Sequence, residues 1–448
     1  MTAGPSYWVE TFGCRAAQAD GAALETALRD RGLAPAAGPS TADLVVVNAC
    51  TVTAAADQDA RRAIRRARRD NPRARILVTG CYAQRAPGEL AALPGVAWVV
   101  GNSHKSQIAD LVTLAPAQPE SLPFHGQIFV GDLSRQTTFL SEPVREASHD
   151  RTRPNLKIQD GCSHRCSFCV IPSVRGPSRS APADRVVEQV RGLAERYREV
   201  VLSGINLGRW GRDLEGRPRL AALLRRLLEE TPVARLRISS IEPMDWTDEL
   251  LDLVASSPRL ARHVHAPLQS GSDRILRLMR RKYRARHYAA RLEKARRLMP
   301  EAAIGADVMV GFPGETGADF EESRQLIADL PFTYLHVFTY SSRPGTAAAA
   351  MPDPVPPPVQ RERNRRLREL AEAKGAAFRR GFLGRRLSVL TLQESHPDGA
   401  VGLSDNYLKT LIAGPSLAPN RILEVQVVGV EGEFLRTTPP EGTADERR

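Results

Sequence analysis

A short apolar strand followed by an amphipathic helix recurs along this chain in two separate series, and that alternation restricts the fold to layered or barrelled α/β structure. In the first hundred residues the pattern predicts strands over 6–13, 43–49, 75–80 and 97–101, with helices over 18–31 and 53–69. A doubly wound parallel sheet covered by helices on both faces is expected there. The second series predicts strands over 155–160, 199–202, 235–239, 262–266, 304–310 and 334–338, with helices such as 183–195, 221–229 and 319–329 between them. Six units, two short of a closed eight-strand barrel, predict a partial (βα)6 barrel.

Between the series, about 114–153 lacks periodicity, carries Pro116, Pro119, Pro123 and Pro143, and reads as a connecting arm. The proline run from Met351 to Val359 cannot continue a helix. An arginine-rich helix follows it to about Phe382. Short strands over 387–392, 407–412 and 422–430, separated by Gly, Pro, Asp and Asn, then outline a small antiparallel β-barrel, and the chain from Pro439 reads as disordered. At 448 residues there is room for about three domains. Their expected bounds are 5–115, an arm over 116–150, then 151–382 and 383–440.

No basic stretch leading into an apolar run opens the chain, and no segment approaches roughly 18 consecutive apolar residues. The expectation is a soluble, cytoplasmic protein with no membrane partner. A net charge of +12 points toward a polyanionic partner, although the arginine clusters at 61–69, 277–286, 361–368 and 379–386 read equally well as solvated helix faces.

Six cysteines in so long a chain exclude a disulfide scaffold and suggest reduced ligands. Three of them, Cys162, Cys166 and Cys169, follow the first strand of the second series directly. Chance spacing at +4 and +7 has a probability of only about 2 in 10,000. Zinc is the main alternative, with His164 as a fourth ligand, but the compact loop suits an iron–sulfur cluster better. Three thiolates on a 4Fe-4S cube leave one iron open to substrate. The others, Cys14, Cys50 and Cys81, stand at or just past the ends of three predicted strands. Ligand sites of parallel sheets lie at that edge.

With Phe168 before the last cysteine, the Cys162-x3-Cys166-x2-Cys169 segment resembles the radical S-adenosylmethionine enzymes. In that family the open iron chelates the methionine moiety, and the reduced cluster cleaves the sulfonium to a 5'-deoxyadenosyl radical. The resemblance implies S-adenosylmethionine contacts at Ser203, Gly204 and Asn206, at Gln269 and Ser270, and at Gly311 and Glu315, although each glycine alone also fits a tight loop after a strand. Order along the whole chain, together with Thr11 to Cys14, Asn48 to Cys50, Gly80 to Cys81, Pro267 to Ser272 and Gly305 to Thr316, is similar to the methylthiotransferases, whose terminal barrel is called TRAM. By that resemblance, Cys14, Cys50 and Cys81 hold an auxiliary 4Fe-4S cluster carrying the sulfur to be inserted, and an electron donor and a sulfur source are further partners. Two clusters facing a shared cavity are then expected.

Within that family, the segments Lys157 to Cys162, Arg175 to Ser180, Leu202 to Gly208, Arg237 to Pro243 and His336 to Thr346 look most like the enzymes acting at C2 of N6-threonylcarbamoyladenosine 37 in tRNA. Ser163 to Arg165 and Pro172 to Ser173 look more like those that modify an aspartate of a ribosomal protein. Isopentenyladenosine in tRNA is a third substrate class, and a non-catalytic iron–sulfur RNA-binding or redox-sensing protein is the alternative of another kind. On the small barrel, Arg385, Arg386, Lys409 and Arg421 are expected at RNA phosphates and Tyr407 at a base, with core packing as the competing reading for Tyr407. Glu242 and Arg343 are polar groups near strand ends without an assigned role.

Overall fold

A computed structural model describes residues 5–114, 125–134, 136, 139, 143–147, 152–414 and 417–438. The tail from Pro439 and much of the expected arm lie outside the described residues.

Strands β1 (Ser6–Thr11), β2 (Ala34–Pro35), β3 (Leu44–Ala49), β4 (Arg75–Gly80), β5 (Val96–Val100) and β6 (Gln127–Phe129) form one sheet in the order β2-β1-β3-β4-β5-β6. Every pair is parallel. All six residues of β3 are buried, because both sheet faces are covered. Val45, Val47 and Val78 pack with Ala60 and Ile64 on one face, while Val46 and Leu77 pack with Leu24, Leu28 and Ile108 on the other. The sequence pattern does not show β2 and β6. They have two and three residues, too short to display a period, and β6 comes from within the arm.

The second series supplies β7 (Asn155–Asp160), β8 (Arg179–Ser180), β9 (Glu199–Gly204), β10 (Arg235–Ile238), β11 (His263–His265), β12 (Ala303–Val310) and β13 (Tyr334–Thr339). β10-β9-β7 and β11-β12-β13 are parallel, and a parallel bridge from Leu236 to Leu260 leads from one half to the other. These are the six expected strands, with the two-residue β8 added antiparallel to the end of β7. One long core of Val, Leu and Ile joins strands to helices. The arginine-rich helix Pro357–Arg380 starts inside the proline run, where prolines at its first positions need no N–H partner.

At the C-terminus β14 (Arg386–His396), β15 (Gly399–Ser404), β16 (Lys409–Ile412), β17 (Ile422–Glu431) and β18 (Phe434–Thr438) close a barrel in the order β14-β15-β16-β18-β17. Its β16–β18 pair is parallel, so the barrel is mixed where the sequence suggested a wholly antiparallel one. No helix among the described residues is long and apolar enough to cross a membrane.

The first helix, Arg15–Asp30, joins the two larger parts. Ala16, Ala17, Ala19, Gly21, Ala22 and Ala23 are buried, and small side chains let it lie close to both its own sheet and the barrel. Ala22 and Ala23 belong to the central core, Leu24 and Leu28 to the N-terminal one.

Candidate functional site

The order β1-β3-β4 sets Cys14, Cys50 and Cys81 at the same sheet edge, each just past a strand end. Gly13, at φ +112°, makes their approach possible: a Cβ there would stand 2.6 Å from the Cys50 Cβ. Burial pushes the Cys50 thiol up to about 12, with Cys81 and Cys14 adding to the effect as neighbouring sulfurs. Cys14 alone of the three is exposed.

Cys162, Cys166 and Cys169 lie on the loop after β7. Gly161 enters this loop at φ +66°, and a Cβ there would lie 2.0 Å from the Pro177 carbonyl oxygen. The three thiols border an open cavity of about 480 Å³, together with Arg280 and the turn Pro344 to Ala347. That size suits a cofactor of ordinary dimensions. Burial raises the Cys169 thiol to about 12, reinforced by the other two sulfurs.

A helix of five residues, Ile171–Arg175, links the two triads. It begins just after Cys169, and its last residue, 2% exposed, donates from Nε to the Cys81 sulfur at 3.2 Å. Arg175 also donates to Asp160 and to Asp20, each at 2.9 Å. Lys157 completes the network between those two carboxylates. Val170 and Val174 pack on Cys81 from the same side. A second buried guanidinium, Arg281, donates to the Cys166 sulfur at 3.4 Å and pairs with Glu242. Each triad therefore has one arginine directed at one of its sulfurs. Arg343 instead reaches across to Asp57, which also pairs with Arg85 at 3.0 Å, and Arg85 holds Thr51 beside Cys50.

Sulfur spacing tests the zinc alternative. Among the described residues, only His265, Asp307 and His336 bring three His, Cys, Asp or Glu ligand atoms within 4.8 Å of one another. Zinc, with Zn–S of about 2.3 Å, would draw sulfurs to within about 4 Å. Neither triad brings its three sulfurs within 4.8 Å of one another.

Comparison with known proteins agrees with this arrangement. Residues 156–327 match the radical SAM superfamily, and residues 6–101 match the uncharacterized protein family UPF0004. Threonylcarbamoyladenosine tRNA methylthiotransferase MtaB of Bacillus subtilis is 36% identical over 444 residues, which cover 97% of each chain. The chain belongs to the radical S-adenosylmethionine tRNA methylthiotransferases. The enzyme of the same name from Aquifex aeolicus is 38% identical over 89% of this chain and 94% of its own. A tRNA-2-methylthio-N(6)-dimethylallyladenosine synthase of Chloroflexus aurantiacus, at 36% over 87% of this chain and 82% of its own, also belongs to this family. In fold alone, the radical S-adenosylmethionine methyltransferase TsrM of Kitasatospora setae is similar, with TM-score 0.56 and 17% identity over 77% of this chain and 76% of that one. Membership in the radical SAM superfamily implies a 4Fe-4S cluster and S-adenosylmethionine.

The residues expected at S-adenosylmethionine divide in two. Asn206 lies 3.6 Å from the Cys162 sulfur through Nδ2, while its Oδ1 is buried without a partner. Gly204 ends β9 against Gln159, and Gln269 adopts a left-handed backbone (φ 64°) bridging to β12. Three others are engaged within the protein. Ser203 donates to the Leu156 carbonyl, Ser270 meets Ser323 on an outer helix, and Glu315 accepts from the Gly311 N–H at 2.7 Å and from Arg363 at 2.6 Å. Glu315 thus ties the Gly311 loop to the helix Pro357–Arg380.

The RNA-facing set also divides. Arg386 and Arg421 are exposed, but Arg385 pairs with Glu301 and Lys409 with Glu433. Tyr407, half-buried at φ 67°, packs with its ring 4.5 Å from that of His263 and 5.6 Å from that of Tyr334. Its hydroxyl accepts from Arg15, the residue after Cys14, at 3.2 Å. Spacing and local pattern do not single out Arg15, Arg175, Arg281, His265, Asp307 or His336. A period-2 row of polar and aromatic residues, Tyr334-x-His336-x-Phe338, is the available signal that one face of a buried strand looks into an open interior.

Proposed function

We propose that this chain inserts a methylthio group at C2 of N6-threonylcarbamoyladenosine 37 in tRNA, working in the cytoplasm with an electron donor and a sulfur source. Cys162, Cys166 and Cys169 would hold the 4Fe-4S cluster that meets S-adenosylmethionine, and Cys14, Cys50 and Cys81 an auxiliary 4Fe-4S cluster. Bound there, these groups supply the radical chemistry and the sulfur. The observation that carries this reading is helix Ile171–Arg175, which ties the two triads to one region.

The chain's own residues position and shield. Gly161 turns the loop that presents Cys162, and Asn206 approaches that sulfur with its carbonyl oxygen still unpartnered, available to an amino group. Arg175 and Arg281 lend hydrogen bonds to Cys81 and Cys166, a lever that tunes cluster potential. Gly204 and Gln269 remain the strand-end positions for S-adenosylmethionine. The threonylcarbamoyl substrate is favoured by the names of the Bacillus and Aquifex relatives, and the dimethylallyl substrate is the second reading because of the Chloroflexus relative.

Deleting the gene and profiling tRNA nucleosides by mass spectrometry tests the assignment. The 2-methylthio-threonylcarbamoyl nucleoside should disappear and return on complementation. Its persistence alongside loss of the methylthio-dimethylallyl nucleoside would replace this reading by the second.

A further inference from the structure

The six positions that matter here, Arg15, His265, Asp307, Tyr334, His336 and Tyr407, come from five separate parts of the chain. Val337 of β13 is buried toward the helix Pro357–Arg380, so the alternate residues Tyr334, His336 and Phe338 face the barrel interior. Yet the His336 side chain is 53% exposed and Phe338 is 46% exposed. The interior is open to solvent beside them. His265 and Asp307 look into the same space from β11 and β12, with His265 Nε2 and His336 Nδ1 each 3.4 Å from the same Asp307 oxygen. Those distances are long for hydrogen bonds. The His265 side chain is only 9% exposed, and its Nε2 has no hydrogen-bond partner. Tyr334 and Tyr407 continue this wall to Arg15, whose guanidinium lies 6.0 Å from the Tyr407 ring and has no carboxylate partner among the described residues.

A buried imidazole nitrogen whose nearest polar partner, an Asp307 oxygen, stands at 3.4 Å, and a half-buried cation without an anion both describe what a ligand could supply. The ligand must bring an anion or strong acceptor for Arg15 and the imidazoles, and a donor for Asp307. A hydrocarbon substituent would leave Arg15 without an anion and would displace water from the imidazoles without replacing its hydrogen bonds. We propose that Arg15, His265, Asp307 and His336 form a specificity site for the N6 substituent of the target adenosine, one that selects an anionic, hydrogen-bonding group over an apolar one. Threonylcarbamoyl has the required chemistry: a carboxylate for Arg15 and the imidazoles, and ureido N–H and hydroxyl groups for Asp307. The inference rests on the tRNA substrate reading above and gives it a physical cause. Sites built to hydrogen-bond a substrate reject analogues lacking the polar group far more strongly than apolar pockets reject polar ones.

The test uses reconstituted holoenzyme with two anticodon stem-loops, one carrying threonylcarbamoyladenosine and one isopentenyladenosine. Arg15→Gln and His336→Leu should each raise KM for the threonylcarbamoyl hairpin by roughly tenfold to a hundredfold, the effect of removing one charge-assisted hydrogen bond. The kcat should stay within a few-fold. Because Arg15 adjoins Cys14, iron content and 5'-deoxyadenosine formation without RNA are measured alongside, and both should match wild type. His336→Leu, at a position not adjacent in sequence to any triad cysteine, carries the test if Arg15→Gln loses iron. Unchanged KM in a fully loaded His336→Leu enzyme would overturn the specificity site while leaving the substrate reading intact. Wild-type preference for the isopentenyl hairpin would overturn both. A divalent ion bound beyond the cluster iron, and lost in Asp307→Asn, would also overturn it by filling the ligand's seat.

Discussion

At the scale of single residues, backbone geometry and buried charge decide more than side-chain identity at the triads themselves. Gly13 has a positive φ and no space for a Cβ beside Cys50, so Gly13→Ala should displace the Cys50 loop. On the proposed assignment of two clusters, iron content of the purified, reconstituted protein should fall by about half, with the signal of a cluster at Cys162, Cys166 and Cys169 retained in the electron paramagnetic resonance spectrum. Arg175 is a different case. Its guanidinium joins Cys81, Asp160 and Asp20 with all groups buried, so Arg175→Met leaves two carboxylates short of a partner. A loss of about 1–3 kcal/mol is expected in denaturant unfolding, less than for a stranded ion because Asp20 keeps Lys157 and Lys105 and Asp160 keeps Lys157. The glycine and cysteine positions were legible in the sequence, since turn chemistry and spacing are local. Arg175 was legible only as part of a family-like segment, because its three acceptors come from positions 20, 81 and 160.

At the scale of elements, the foot of the barrel shows how a strand can start on a buried charge. Glu199, the first residue of β9, is fully buried and accepts from Arg237 at 2.8 Å and Arg153 at 3.1 Å, with Arg235 at 3.4 Å. Burial alone would raise its carboxyl, but Arg237 and Arg153 more than offset that and leave it at about 2, against a usual 4.5. A depressed carboxylate stabilises the fold in full above pH 4.5 and loses that contribution as pH falls toward 2. The size is about 3 kcal/mol for this shift. The stability gap between wild type and Glu199→Gln, followed by denaturant unfolding, should therefore narrow by that amount between pH 5 and pH 2. A constant gap would mean that the arginines do not stabilise the ionised form. Strand existence was readable throughout the two alternating series, where apolar runs are long enough to show a period. It failed for β2, β6, β8, β15 and β18, the first three because two or three residues carry no period. For the last two, neighbours in the closed barrel decide pairing more than local pattern does.

At the scale of the whole molecule, charged contacts hold the parts in register. Arg343 on the loop after β13 pairs with Asp57 beside the Cys50 loop, and Arg237 donates to the carbonyls of Ser404 and Asp405 on the small barrel. Arg343→Ala should cost about 1–3 kcal/mol, less than a stranded ion since Asp57 keeps Arg85, and should separate the calorimetric transitions of the N-terminal and central parts. Of the basic residues assigned to RNA on the small barrel, Arg386 and Arg421 are the exposed ones not matched by an acid among the described residues. Replacing either with Ala should reduce the slope of log affinity against log salt by roughly 0.7 to 0.9 for each phosphate no longer neutralised, whereas Arg385→Ala should change it little. Neighbouring residues dictate the two α/β series, the strand-end placement of Cys14, Cys50 and Cys81, the loop after β7 that carries Cys162, Cys166 and Cys169, and the small terminal barrel, because strand–helix alternation and ligand spacing are local. Long-range packing, by contrast, sets how helix Ile171–Arg175 ties the two triads together, why Tyr407 packs on His263 and Tyr334, and why His265 and His336 meet at one Asp307 oxygen. Arg15 and His336 lie 321 positions apart in the chain, and only the packing of the first helix and the small barrel against the central strands links them, through Tyr407 and Tyr334.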